Sequence, residues 1–160
     1  EPLERTEAST GRESKASSTP GTGGIVLYIE DNLSNFRLVE RILALRPGIR
    51  LISAMQGRMG LDLAQTHRPD LILLDVHLPD ISGGEVLAEL QADDQLRRIP
   101  VVMISADAIP ATIGRFLAQG AGAYLTKPLD VKKLLTLLDE RLKHPGAAGK
   151  AGGSPQRYSS

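Results

Sequence analysis

Four consecutive apolar residues that run straight into an acid, Leu71 to Leu74 followed by Asp75, constrain this chain more than any other stretch. The run lies within Pro69 to Gly84, PDLILLDVHLPDISGG, and Pro79, Gly83 and Gly84 close it. An uninterrupted apolar segment this short, rich in branched side chains and bounded by turn formers, reads as a strand covered on both faces of a parallel sheet. Asp75 then ends a central strand at its carboxyl edge, where open α/β sheets bind ligands and carry chemistry. Taken alone, Asp75 reads equally well as the cap of the next turn.

The rest of the chain repeats the alternation. Ile25 to Ile29 is a second buried strand, ending at Glu30 and Asp31, and Asn32 or Ser34 is placed to cap the helix that follows. In that helix Phe36, Val39, Ile42 and Leu43 recur at helical spacing, with Asn35, Arg37, Glu40 and Arg41 on the wet side. Strands are expected at Arg50–Ala54, Pro100–Ser105 and Ala123–Leu125. Further helices are expected from Gly57 to about His67, Ser82 to Gln91, Pro110 to Gln119, and after Asp130, where Val131, Leu134, Leu135, Leu138 and Leu142 form a stripe. A polar loop joins Ala92 to Arg98, and Gly120 suits a left-handed helix cap. Five strands alternating with five helices predict right-handed βαβ units in a three-layer α/β sandwich of the flavodoxin-like kind, with a five-stranded parallel sheet in the order 2-1-3-4-5.

Composition sets the limits of that unit. Residues 1–24 hold Ser, Thr, Glu, Gly and Pro with few large apolar side chains and read as a disordered linker. Residues 145–160 read as a flexible tail, which leaves 25–144 as one domain. Nineteen basic residues balance nineteen acidic ones, so no broad attraction to nucleic acid or an anionic membrane is indicated. The absence of cysteine excludes disulfides, thiolate metal sites and a thiol nucleophile. No apolar run approaches a membrane span and no signal-peptide pattern opens the chain, which is expected to work in the cytoplasm. Glu1 stands where an initiator methionine would, and the chain is expected to be a fragment or a processed product.

If the first, third, fourth and fifth strands are parallel, their carboxyl ends collect Glu30, Asp31, Asp75, Ser105 and Lys127. Three clustered carboxylates repel one another unless a cation neutralises them, and oxygen ligands of this kind suit Mg2+. An ionised Asp75 could then attack phosphorus, with Lys127 and the Ser105 hydroxyl as partners for the shifting charge. Each residue separately has a plainer reading as a cap or a surface charge; the joint placement at four strand ends does not.

Four segments carry a resemblance: YIEDN at Tyr28 to Asn32, LILLDVHLP at Leu71 to Pro79, MISA at Met103 to Ala106 and YLTKP at Tyr124 to Pro128. In order and spacing they are similar to the receiver domain of two-component response regulators, across the whole expected domain. The resemblance implies that Asp75 is phosphorylated from a phosphohistidine on a histidine kinase or histidine phosphotransfer domain. It implies that Glu30, Asp31, Asp75 and the backbone carbonyl of His77 hold Mg2+, and that Ser105 and Lys127 bind the phosphoryl group. It further implies a cis Lys127–Pro128 peptide, and a switch in which Ser105 moves inward and Tyr124 follows. Such a domain is a phosphoacceptor rather than an enzyme. The loose segment ahead of it resembles the tether of a hybrid sensor histidine kinase, whereas Gly122 and Ala123 replace acids that many DNA-binding regulators carry.

His77 is not a residue the mechanism requires; with Asp107 it is expected to screen Asp75 from attacking water, the alternative being two unrelated solvated side chains. A pseudo-receiver, folded but acting only as a docking module, is the alternative function. A flavin or nucleotide binder would want glycines or hydroxyls after the first strand, where Glu30 and Asp31 stand. A haloacid-dehalogenase-like hydrolase would want a second acid two residues after Asp75, where His77 stands.

Overall fold

The structure, a computed structural model, describes residues 23–142. The expected linker, apart from Gly23 and Gly24, and the expected tail lie outside the described residues, as do Lys143 and His144. Five strands, β1 (Gly24–Ile29), β2 (Ile49–Ala54), β3 (Leu71–Asp75), β4 (Val101–Ser105) and β5 (Ala123–Thr126), alternate with five helices. The helices are α1 (Leu33–Leu43), α2 (Gly57–His67), α3 (Gly83–Ala92), α4 (Pro110–Ala118) and α5 (Val131–Arg141). All strand pairs are parallel and the order is β2-β1-β3-β4-β5, the flavodoxin-like arrangement that the alternation predicts.

The two faces of the sheet bury alternate residues, because successive side chains of a strand point to opposite sides. Leu27, Ile29, Ile72, Leu74, Val101 and Met103 pack with Ala64 of α2, Val86, Leu87 and Leu90 of α3 and Phe116 of α4. Val26, Tyr28, Leu71, Leu73, Val102 and Ile104 pack with Val39, Ile42 and Leu43 of α1 and Leu134 and Leu138 of α5. A strand covered on both sides has no polar position to spare, which is why β3 reads as an unbroken apolar run.

Local chemistry fixes the helix ends. Asn32, rather than Ser34, caps α1 by accepting from the Asn35 amide at 3.0 Å. Ser82 and Glu85 form a reciprocal capping box at α3. Asp130 caps α5 through the Lys133 amide at 3.0 Å. Gly120 takes φ +115°, the left-handed region expected for it. Two expectations shift. The 92–98 connection is not wholly polar in role: it closes in a short 3-10 turn, Leu96–Arg98, that buries Leu96 in the core. In α5 the stripe begins at Leu134, since Val131 is in the first turn and exposed.

Candidate functional site

Strand register brings the chemistry together. Ile29 pairs with Leu74, Asp75 with Ile104, and Ser105 with Thr126. The residues ending β1, β3, β4 and β5 therefore lie along one carboxyl edge. Glu30, Asp75 and Ser105 are the buried polar or charged side chains among the described residues, at 3%, 3% and 1% exposure. Burial of ionisable groups without partners is costly, so their contacts decide what the cluster can do.

Lys127 supplies the counter-charge. Its ammonium donates to Asp75 Oδ2 at 3.2 Å and to Glu30 Oε1 at 3.1 Å. Burial pulls the lysine pKa down, but the hydrogen bonds and charges of Glu30 and Asp75 outweigh it and the net shift is upward. Lys127 is thus held as a cation at the site. Its backbone is fixed as well: the amide donates to the Ser105 carbonyl at 2.9 Å, and the Lys127–Pro128 peptide is cis, as the resemblance implies.

Glu30 carries the densest set of contacts. Its Oε1 accepts from the Tyr28 hydroxyl at 3.1 Å, the Asn35 side-chain amide at 3.2 Å and Lys127; its Oε2 accepts from the Asn32 amide at 3.1 Å. Burial, reinforced by the adjacent Glu30 carboxylate, pushes the Tyr28 phenol well above its ordinary pKa. The hydroxyl therefore stays protonated and remains a donor. Asp31 follows Glu30 at the mouth and is exposed. One oxygen each from Glu30, Asp31 and Asp75 lie within 4.8 Å of one another. This all-oxygen donor set, open to solvent on the Asp31 side, fits a small hard divalent cation such as Mg2+.

The β4–α4 loop forms the other wall. Ser105 Oγ accepts from the Asp107 amide at 3.1 Å, and the Tyr124 hydroxyl donates to the Asp107 carbonyl at 2.7 Å. Tyr124 is half-buried, its ring 6.0 Å from that of Phe116. A continuous chain of contacts thus joins Ser105 to Tyr124 through one residue. His77 is exposed; its amide donates to Asp75 Oδ1 at 3.3 Å. The structure does not pair His77 with Asp107, whose Oδ1 instead accepts from the Ile109 amide at 2.8 Å. The two side chains expected to screen Asp75 thus make no direct contact by hydrogen bond, Asp107 being engaged within its own loop.

Sequence reasoning missed two members of the site. Asn35 counts as a wet-side helix residue by periodicity, yet it sits one turn into α1 and reaches back over the cap to Glu30. Tyr28 counts as strand filler, yet its hydroxyl extends from the α1/α5 face of the sheet to Glu30, two residues on. A buried phenol needs a partner, and that was the available signal for Tyr28.

Comparison with known proteins agrees with this architecture. Residues 26–139 match the family model for the response regulator receiver domain. The polar-differentiation response regulator DivK of Brucella anthropi is 40% identical over 117 residues, covering 73% of this chain and 94% of that protein. The chemotaxis response regulator CheY4 of Vibrio cholerae superposes with a TM-score of 0.69 at 30% identity, covering 76% of this chain and all of the other. The receiver domain of the sensor histidine kinase PA1611 of Pseudomonas aeruginosa, solved with a magnesium ion in its active-site cleft, gives 0.68 at 29% identity, covering 75% and 98%. With the family's model matched across nearly the whole sheet and relatives aligned almost end to end, this chain belongs to the response regulator receiver domain family.

Proposed function

We propose that Asp75 is the phosphoacceptor of a Mg2+-dependent transfer from a phosphohistidine, and that Ser105 and Tyr124 convert its phosphorylation into a changed protein-binding surface. The observation that carries this reading is the Asp75 carboxylate itself: buried, facing a solvent-open acidic mouth, with the Lys127 ammonium 3.2 Å from Oδ2. A lysine in that position gives the carboxylate a counter-charge and is within reach of an oxygen newly attached to it.

A carboxylate oxygen of Asp75 attacks phosphorus, the phosphorus–nitrogen bond of the phosphohistidine breaks, and the imidazole leaves, taking up a proton from solvent. Glu30, Asp31, Asp75 and the His77 backbone carbonyl would hold Mg2+, which when bound neutralises charge on the phosphoryl oxygens. Lys127 and the Ser105 hydroxyl bind the oxygens of the transferred group. For its hydroxyl to turn toward Asp75, Ser105 must release the Asp107 amide. Tyr124 is tied to the carbonyl of the same Asp107, so the rearrangement reaches the surface formed by α4, β5 and α5. Partners are a histidine kinase or a histidine phosphotransfer domain, the classes with which receiver domains interact; a hybrid kinase is one parent chain consistent with the PA1611 likeness.

Intact-mass measurement after incubation with acetyl phosphate or phosphoramidate tests the reading. One phosphoryl group is expected on the wild type with Mg2+, and none on Asp75→Ala or after chelation. A folded wild type that takes up no phosphoryl group under any condition would leave the docking-only function in its place.

A further inference from the structure

Glu30 is held differently from the other two acids. Asp75 accepts from the His77 amide and Lys127, and Asp31 is exposed, whereas the Glu30 carboxylate has four donors from four residues. An ionised carboxylate offers about two acceptor sites on each oxygen, so Oε1 is filled by the protein while Oε2, which accepts only from the Asn32 amide, keeps room for a cation. Three of the four donors converge on Oε1, and one of them, Lys127, is the group that must serve the phosphoryl oxygens. If Lys127 were alone on Oε1, Glu30 would be free to follow the ammonium whenever it moved.

We propose that the Tyr28 hydroxyl and the Asn35 side-chain amide are positioning groups that fix Glu30 independently of Lys127, and so set the affinity of the acidic site for its divalent cation. The inference rests on the reading of Glu30, Asp31 and Asp75 as a cation site. Tyr28 is suited to the task because it cannot move: it is fully buried, at 0% exposure, and its ring lies 6.3 Å from that of Phe36 in a stacked arrangement. Asn35 is anchored by its own backbone, since its amide donates to the α1 cap Asn32. A strand residue and a helix residue thus clamp one oxygen from two directions, leaving Lys127 able to depart without releasing the carboxylate. Neither group carries charge, so removing one changes the electrostatics of the site much less than it changes the freedom of Glu30. Loosening a cation ligand through its supporting hydrogen bonds typically weakens metal binding.

The test is an NMR titration of the full chain with MgCl2, following amide shifts of the residues around Glu30 and Asp75, on wild type, Tyr28→Phe, Asn35→Ala and the double variant. Tyr28→Phe keeps the ring and its packing, and Asn35→Ala removes only a half-buried amide, so both variants are expected to fold. Each single variant is expected to raise the Mg2+ dissociation constant about 10-fold or more, and the double variant more than either. Phosphorylation by phosphoramidate should need more Mg2+ to reach its half-maximal rate in each variant, in step with the raised dissociation constant, a shift in metal dependence that a merely structural role does not produce. A merely structural role would lower the melting temperature of the metal-free protein and leave the dissociation constant unchanged; an unchanged or tightened constant in both single variants overturns the proposal. A wild type whose shifts do not respond to Mg2+ at all, while the folded spectrum is intact, overturns the cation site and this inference with it.

Discussion

Gly83 shows how closely the backbone is drawn around Asp75. A methyl group built on it would run into the Asp75 carbonyl oxygen and lie 2.7 Å from Val76 Cα, both main-chain atoms that cannot swing aside. The first turn of α3 therefore packs directly on the end of β3, and the Gly83 amide donates to the Val76 carbonyl at 2.8 Å. Gly114, inside α4, is the opposite case, with nothing within 4 Å of an added methyl. The same substitution should act with opposite signs at the two positions. Gly83→Ala is expected to destabilise by about 1–3 kcal/mol, since an overpacked contact must be relieved by moving main chain. Gly114→Ala is expected to stabilise by about 0.5–1 kcal/mol, because alanine loses less backbone freedom in a helix. Urea unfolding of the two variants beside wild type measures both; a Gly83→Ala protein as stable as wild type would show that the β3–α3 contact is slack.

Helix α2 starts without a cap of its own: Gln56 precedes it with no side-chain hydrogen bond to the first turn. Asp80, in the β3–α3 connection, supplies one from a distance, accepting from the Gly57 amide at 2.8 Å and the Arg58 amide at 2.9 Å. The Arg58 amide leads the donors that hold the Asp80 carboxyl at about 2, below its ordinary 3.8. A carboxyl whose pKa is lowered on folding stabilises the fold above its unfolded value, and the contribution is lost as pH falls through the folded one. Asp80→Ala should therefore lower the urea midpoint at neutral pH, and its deficit should shrink between pH 3.8 and about 2. A deficit that stayed constant across that window would mean the cap does not act through its charge. This contact also marks where sequence reading stops. The strands, most helix faces and the carboxyl-edge cluster were legible because each is written in local periodicity or at a strand end, as at Leu71 to Asp75. Asp80 on α2, Tyr28 and Asn35 on Glu30, and the paired bonds from Arg46 to Asp139 at 2.8 and 2.9 Å depend on which elements become neighbours. Apart from Tyr28, whose phenol in an apolar run calls for a partner, no local pattern distinguishes those residues from any solvated or packed side chain.

Across the whole molecule, the acidic mouth and the core are thermodynamically linked, because Glu30 and Asp31 directly follow β1 and Asp75 ends β3, two adjacent interior strands of the sheet. Unfolding separates Glu30 and Asp31 from Asp75, which are 45 and 44 positions apart in the chain, and so destroys the oxygen cluster. A cation that binds only the folded arrangement must raise stability by RT ln(1 + [L]/Kd), about 1.4 kcal/mol at a tenfold excess over its dissociation constant. For a folded unit of this size that is a rise in melting temperature of about 5 °C. Chelation should reverse the rise, and calcium, which asks for more oxygen ligands than this mouth provides, should give less of it than magnesium at equal concentration. Asp75→Ala removes one of the three oxygens and with it most of the magnesium response. The metal-free variant is expected to melt at or above the wild-type temperature, since one fewer negative charge is crowded beside Glu30 while Lys127 keeps that partner. Thermal scans with and without Mg2+ on both proteins decide the matter: equal magnesium-induced rises in wild type and Asp75→Ala would place the cation elsewhere on the molecule and detach it from the proposed phosphoacceptor.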